Sequence, residues 1–349
     1  MKLTKILITA AGSGGTNALL NTLHDDSYQF VGTNIDRFKA ACSVTKRSYL
    51  VPRATDEEDY IETINKIIAI EKPALLIPNS DIEAEILAKH RDRIKTRTFL
   101  PSYEVIVLCQ DKFKMYEYCR KKKVHVAKTI SLKKMSDLDT LPEHFSGFPL
   151  WARIRTGAGS KHTSKIFSVE HAKQFISHKT TAYKIKISDF TISEYLPGND
   201  YAVMTLWKEG ELVLIKMAHR AQYFGQQGES PPSVIKCTYS QKIVDFAIDA
   251  VKKFNPGANG VYNLDIKIDK NNNIALTEVN IGRFYYNMPI FNLTGKHNAF
   301  QVFLKCALGK EHGYGLNDWE EKIFIREMDN RPYIFTEEEQ PTRHQLYDH

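Results

Sequence analysis

From Ile6 to Ser80 short apolar runs alternate with stretches of helical period: ILITAA, a helix from about Asn17, YQFVGTNID, a helix over about Tyr60 to Ala69, then PALLIPNS. Parallel neighbours cannot be joined by a tight turn and need a crossover, so this alternation predicts a parallel sheet covered by helices. Residues 1–108 read as a small Rossmann-like domain. At 349 residues and 42% hydrophobic composition, the chain has material for two or three cores.

A second unit, 109–190, begins near Asp111, a natural N-cap for the helix KFKMYEYCRKKK, and VHVAKTI follows. In it GFPLWARI reads as a strand running into the glycine-bearing loop RTGAGSKHT, and SVEHAKQFIS as a helix. The third unit, 191–325, holds a hairpin turning at Lys208-Glu209-Gly210, the amphipathic helix SQKIVDFAIDAVKKF, the strands GVYNLDIKID and NIALTEVN, and a helix around Phe300 to Ala307. Residues 326–349 complete a hairpin turning near Asp329-Asn330, and from TEEEQP onward the tail is expected to fray.

Composition narrows the function classes. Lys+Arg of 48 against Asp+Glu of 41 leaves +7, spread along the chain, which suits an anionic small substrate as well as nucleic acid. Zinc-finger spacing and aromatic-basic interleaving are missing, so no nucleic-acid partner is expected. The densest basic run, Arg120 to Lys123, reads as a solvated helix face. Five scattered cysteines without CxxC pairs suit neither a disulfide framework nor a zinc site. The N-terminal apolar run is too short for a signal peptide, and no segment approaches about 18 consecutive apolar residues. The expectation is a cytoplasmic protein with no membrane partner.

The stretch IALTEVNIGRF places a carboxylate, a carboxamide and a guanidinium within six residues, as Glu278, Asn280 and Arg283. By strand alternation Ile274, Leu276, Glu278 and Asn280 share a face. On the preceding strand Leu264, Ile266 and Ile268 form the apolar face, leaving Asn263, Asp265 and Lys267 on the other. If Lys270 to Asn273 make a four-residue loop, Asp269 pairs with Ile274, and Asp265 falls opposite Glu278 with Asn263 opposite Asn280. Facing carboxylates repel. A hard divalent cation would compensate them; the alternative is a register one residue off, with both acids solvated.

Upstream, Arg155 to Ser160 (RTGAGS) supplies small residues whose backbone N–H groups can close on phosphate oxygens, or else forms a plain turn. Arg153 sits on an otherwise apolar strand and needs an anion. Taken in order, these motifs resemble the ATP-grasp superfamily over about residues 1 to 310, most closely its carbamoyl-phosphate synthase-like and carboxylate-amine ligase branch. Asp111-Lys112 is similar to the family's opening motif, whose cation contacts ATP phosphate. ARIRTGAGS, with Arg153, Gly157, Gly159 and Ser160, resembles the strand and glycine lid that close over the phosphates. Glu194-Tyr195-Leu196, with Asp200 beyond, resembles the hinge that pairs with adenine and the acid that meets the ribose. Asp265, Glu278 and Asn280 match the metal-ligating positions, and Arg283 the arginine just past them. Ile154 stands where the family usually has proline, and Lys161-His162-Thr163 where a further glycine is common.

The resemblance implies an α/β (α+β) chain with a Rossmann-like pre-ATP-grasp domain at 1–108, a small lid subdomain at 109–190 and a large metal-bearing subdomain at 191–325. It implies ATP with Mg2+, or Mn2+ in its place, and small-molecule carboxylate and amine substrates joined through an acyl phosphate, with Arg153 and Arg283 as catalytic cations. A homodimer is the default assembly. Lys216 and Arg220 read as solvated hairpin cations or substrate contacts, His219 as a solvated or hydrogen-bonded residue or else a base, and Phe284, Tyr285 and Tyr286 as an acceptor-pocket wall or as packing. One rival is an NAD(P)-dependent oxidoreductase built on GSGGTN with Asp36, but G-x-G-x-x-G fails because Asn17 stands at its last position. Gly12, Gly14 and Gly15 are then a tight turn, structural or close to the acceptor substrate. A non-catalytic nucleotide-binding protein of the same fold is the third reading.

Overall fold

The computed structural model describes residues 3–157, 162–310 and 318–326, together with the backbone of Tyr333–Phe335. Strands β1 (Thr4–Ile8), β2 (Tyr28–Asn34), β3 (Arg47–Leu50) and β4 (Leu75–Ile77) form a four-stranded sheet ordered β3-β2-β1-β4. All of its pairings are parallel, as the strand-helix alternation predicts. The first helix, Gly14–Asn21, starts three residues before the expected Asn17, because Ser13 Oγ accepts from Thr16 N and caps it there.

A second, antiparallel sheet is built from β5 (Thr129–Ser131), β6 (Leu150–Ile154), β7 (Ser164–Ile166) and β8 (Phe190–Glu194), ordered β5-β8-β6-β7. The third sheet has seven strands: β9 (Asp200–Lys208), β10 (Glu211–Tyr223), β11 (Pro232–Cys237), β12 (Gly260–Ile268), β13 (Ile274–Ile281), β14 (Ile323–Ile325) and β15 (Tyr333–Phe335), ordered β13-β12-β9-β10-β11-β14-β15. Glu209 and Gly210, at φ 52° and 84°, close the β9–β10 hairpin as a two-residue turn whose positive φ matches the strand twist. Strand β11 has no counterpart in the sequence reading, since Pro231 and Pro232 at its start disguise it. Strands β14 and β15 pair as the C-terminal hairpin requires. The turn expected near Asp329-Asn330 and the tail from Thr336 lie outside the described residues.

The parallel and seven-stranded sheets share two cores: in one Leu7, Tyr60 and Leu76 pack with Val203, Trp207 and Leu264, in the other Ile6, Ile8 and Leu75 with Met204, Leu206 and Phe291. The small antiparallel sheet has its own, built from Leu150, Ile176, Phe190 and Ile192. Among the described residues no helix is long and apolar enough to cross a membrane.

One polar contact ties the parallel sheet to its longest helix. Glu71, only 5% exposed at the C-terminal end of helix Glu57–Glu71, accepts from Tyr49 Oη at 2.6 Å, Lys5 Nζ at 2.9 Å and Arg47 Nη1 at 2.7 Å. Together the bonds from Tyr49, Lys5 and Arg47 outweigh burial and hold its carboxyl at about 2 instead of 4.5. A carboxyl depressed in the folded state stabilises above its unfolded pKa, and that stability is lost as pH falls through the folded one. The whole shift corresponds to roughly 3 kcal/mol. Lys5 and Arg47 are 37% and 63% exposed, however, and solvent screens them. Glu71→Gln is therefore expected to lower the unfolding free energy by roughly 1–2 kcal/mol at neutral pH, with the gap to wild type closing between pH 4.5 and about 2 in denaturant titrations. A gap independent of pH would remove the ionised carboxylate from this account.

Candidate active site

Across β12 and β13, Asp265 faces Glu278 and Asn263 faces Asn280, as the hairpin count requires, but by a different route. The tip pair is Ile268 with Ile274, because Asp269 leaves the strand and its Oδ1 accepts from Asn271 N at 2.7 Å and Asn273 N at 2.8 Å. The lost residue is regained at Thr277, which bulges between the pairs Asp265–Glu278 and Ile266–Leu276.

The bulge also turns the strand over. Ile274 and Leu276 do not share the face of Glu278; Leu276 joins Val279 and Ile281 in the core beside Leu264 and Ile266. The Thr277 carbonyl accepts from Arg153 Nη2 at 2.9 Å, and Thr277 Oγ1 donates to Asp265 O at 2.9 Å. The bulge thus supplies a seat for the cation of β6.

Cations from several elements converge on the two acids. Asp111 caps helix Lys112–Lys121 through Phe113 N at 3.0 Å and Lys114 N at 3.1 Å, and is held by Arg155 Nη2 at 2.7 Å. Lys112, the first helical residue, places Nζ 3.4 Å from Glu278 Oε1 and donates to Gly157 O at 2.7 Å. Arg153 Nη1 lies 3.7 Å from Glu278 Oε2. Beyond β13, Gly282 at φ 70° folds the chain back so that Arg283 Nη2 donates to Asn280 Oδ1 at 2.6 Å, while its Nε pairs with Asp81 of the parallel-sheet unit.

Arg220 is a correction to the solvated reading. A bulge at Val213 separates the pairs Leu212–Trp207 and Leu214–Leu206, and one step past His219–Tyr201 this register sets Arg220 against Asp200. Its Nη1 donates to Asp200 Oδ1 at 2.8 Å and its Nη2 to Asp265 Oδ1 at 2.6 Å. Tyr223 Oη closes on Asp200 Oδ2 at 2.6 Å, Tyr285 Oη on Asp265 Oδ1 at 2.7 Å, and Asn280 Nδ2 stands 3.4 Å from Asp265 Oδ2. Lys216 is neither solvated nor at the site. It is fully buried, donating to His297 O at 2.6 Å with Asp318 3.2 Å away. His219 packs beside the Tyr201 ring, and burial lowers its pKa. Phe284 belongs to the core against Phe300 and Phe303, whereas Tyr285 and Tyr286 reach the cavity.

The environment splits the acid pair. Burial pushes the Asp265 carboxyl up, with Arg220 working against it. At Glu278 burial is outweighed by Lys112 and Arg153, which hold the carboxyl below its ordinary value. Burial likewise lowers Arg153, while at Arg220 it is overcome by Asp265 and Asp200, and that guanidinium is held well above the usual range.

All of these groups line one cavity of about 450 Å³. Of the expected site residues, Lys112, Arg153, Glu194, Tyr195, Leu196, Asp200, Asp265, Glu278, Asn280 and Arg283 are on its wall. Gly157 is not, although its carbonyl anchors Lys112; Gly159 and Ser160 lie outside the described residues. Met115, Val126 and Leu196 give the wall an apolar stretch beside its charged groups, a mixed lining suited to a ring bearing anions. Gly14 and Gly15 back the cavity wall at Tyr286, where a Cβ added at Gly14 would lie 2.5 Å from the Tyr286 Oη. Tyr223, Lys267, Asn287 and Arg326 also line the cavity, and sequence reasoning missed them. Lys267 had a usable signal, sharing the strand face of Asp265. Among the described residues no three His, Cys, Asp or Glu side chains gather as a metal cluster. A cation here would draw two carboxylates and the Asn280 amide oxygen, a set that fits Mg2+ completed by water and phosphate, and not zinc.

No family model and no curated sequence matches the chain. Solved structures do. The biotin carboxylase domain dimer of Hydrogenobacter thermophilus 2-oxoglutarate carboxylase, in complex with MgADP, ADP and bicarbonate, matches with TM-score 0.73 at 14% identity, covering 93% of this chain and 75% of that one. The L-amino acid ligase of Bacillus licheniformis matches with TM-score 0.70 at 12% identity, covering 93% and 80%. The N5-carboxyaminoimidazole synthetase of Staphylococcus aureus, complexed with ADP, matches with TM-score 0.72 at 15% identity, covering 93% and 83%. At such identities the likeness establishes architecture, and the architecture this chain shares with them is the ATP-grasp fold that its ordered motifs implied.

Proposed function

We propose that the protein is an ATP- and Mg2+-dependent ligase that activates a small-molecule carboxylate as an acyl phosphate and joins it to an amine. The observation that carries this reading is the facing pair Asp265 and Glu278, set in one cavity with Lys112, Arg153 and Arg283. ATP supplies the phosphoryl group to a carboxylate oxygen as ADP departs, and the amine nitrogen then displaces phosphate from the acyl carbon and loses a proton. Such chemistry needs positioning and charge neutralisation more than a protein nucleophile. The nucleotides bound in two of the structural neighbours, and the ligase and synthetase names of two, support the same reading.

In this reading Asp265, Glu278 and Asn280 hold the metal. Lys112 and Arg153 offset phosphate charge, aided by the lid glycines Gly157 and Gly159 and by Ser160. Glu194, Tyr195 and Leu196 border the base and Asp200 the ribose. Arg283, tethered to both Asn280 and Asp81, orients the acyl group from the parallel-sheet side. Arg220 is a positioning residue, because its fork is already committed to Asp200 and Asp265. The reading takes 1–108, 109–190, 191–325 and 326–349 as the units of the chain.

Phosphate release from Mg-ATP over a panel of carboxylates and amines tests the reaction; NADH oxidation without any ATP turnover would overturn it. Glu278→Gln and Asp265→Asn are expected to cut phosphate release by about a thousandfold, the several kcal/mol a bound metal contributes, while ADP affinity drops less than about tenfold. An active Glu278→Ala enzyme would sink the metal assignment. Arg220→Met strands the buried Asp200 and the half-buried Asp265 and is expected to cost roughly 2–4 kcal/mol of stability in denaturant titrations, partly restored by adding Asp200→Asn. A loss below about 1 kcal/mol would show that the pairing is dispensable.

A further inference from the structure

Among the described residues, one cation of the cavity has no acid within 4.0 Å. Lys112, Arg153, Arg220, Lys267 and Arg283 each have a carboxylate oxygen within that distance. Arg326, just past β14, lines the same cavity, and among the described residues its Nη1 is buried without a hydrogen-bond partner. Its position is fixed by the backbone. Arg326 N donates to Ser233 O at 2.8 Å, continuing the β11–β14 ladder past the pair Val234–Ile325.

Aromatic faces hold the guanidinium in place, its central carbon lying 4.0 Å from the Tyr286 ring centroid and 5.3 Å from that of Phe224. Tyr286 is in turn braced from behind, since a Cβ at Gly14 would stand 2.5 Å from its Oη and one at Gly15 3.3 Å from its Cδ2. The Gly14–Gly15 backbone, the Tyr286 ring and the Arg326 guanidinium therefore pack together at one place on the cavity wall. Burial lowers the pKa of Arg326, and Tyr286 works against it. A half-buried guanidinium with a buried, unused N–H favours an anion there, and its planar fork matches carboxylate and phosphate oxygens.

We propose that Arg326, stacked on Tyr286, seats an anionic group, carboxylate or phosphate, carried by one of the two joined substrates in addition to its reacting group. The inference rests on the ligase reading above and narrows its substrate class: at least one substrate bears an acidic group that takes no part in the reaction.

The test is phosphate release by the full chain with Mg-ATP over pairs of carboxylates and amines, each offered with and without a further carboxylate or phosphate, such as glutarate against butyrate, glycine against methylamine, and phosphoethanolamine against ethanolamine. Productive pairs are expected to contain the extra acidic group, and whether it is carboxylate or phosphate names the source. Arg326→Met is expected to raise KM for that substrate about 10- to 100-fold, the loss falling on KM and not on kcat, with Arg326→Lys intermediate because it keeps the charge without the fork. Gly14→Val, which drives a side chain into Tyr286, is expected to raise the same KM. Equal kcat/KM for a pair lacking any extra acidic group, or an unchanged KM in Arg326→Met, overturns the proposal.

A second readout keeps the two readings apart. At saturating MgADP, orthophosphate and glutarate are each added to wild type and Arg326→Met, and melting temperatures are compared. A rise confined to wild type, with no turnover on any pair, retains the anion seat and rejects the ligase; equal rises in both proteins reject the seat.

Discussion

Two carboxylates facing each other across adjacent strands, away from bulk water, set the terms for everything around them. Asp265 and Glu278 cannot both stay ionised unless cations are brought to them, and no single element can bring enough. The chain draws on a helix start for Lys112, on β6 for Arg153, on β10 for Arg220 and on the turn after β13 for Arg283. All three sheets are thereby joined at one point: Arg153 links the small sheet to the large one, and Arg283 reaches Asp81 beside the parallel sheet.

The supply of cations is uneven, and the two acids differ as a result. Glu278 receives Lys112 and Arg153 and stays readily ionised. Asp265 shares Arg220 with Asp200, accepts the Tyr285 hydroxyl, and is raised by burial. Two like groups at cross-strand distance are thus chemically distinct before any ligand is considered.

How much of this was legible in the chain depends on how local each feature is. Parallel strands followed from the alternation in the first eighty or so residues, because crossovers are short-range. The ordered motifs pointed to the right architecture. The pairing of Asp265 with Glu278 was reached although the loop length used to reach it was one residue short, since the excursion at Asp269 and the bulge at Thr277 cancel. Face assignment had no such compensation, and Ile274 and Leu276 were set on the wrong side. Arg220 was out of reach because its partner depends on an irregularity at Val213 seven residues away. Lys216, four residues before it, reads just as polar, yet its charge is met in the core by Asp318, a hundred residues on. Arg326 was hidden behind β11, which the prolines concealed.

The bulge at Thr277 bears on how such a chain can change over time. Before it the inward residues of β13 fall on one parity of the numbering, after it on the other, so every polar side chain downstream depends on the count of residues and not on their kinds. Substitutions can accumulate one by one along this strand, whereas a single insertion or deletion would send Glu278 and Asn280 into the core together. What such a stretch transmits between distant relatives is spacing, which letter-by-letter comparison barely records; shared architecture at 12 to 15% identity is the pattern to be expected of it.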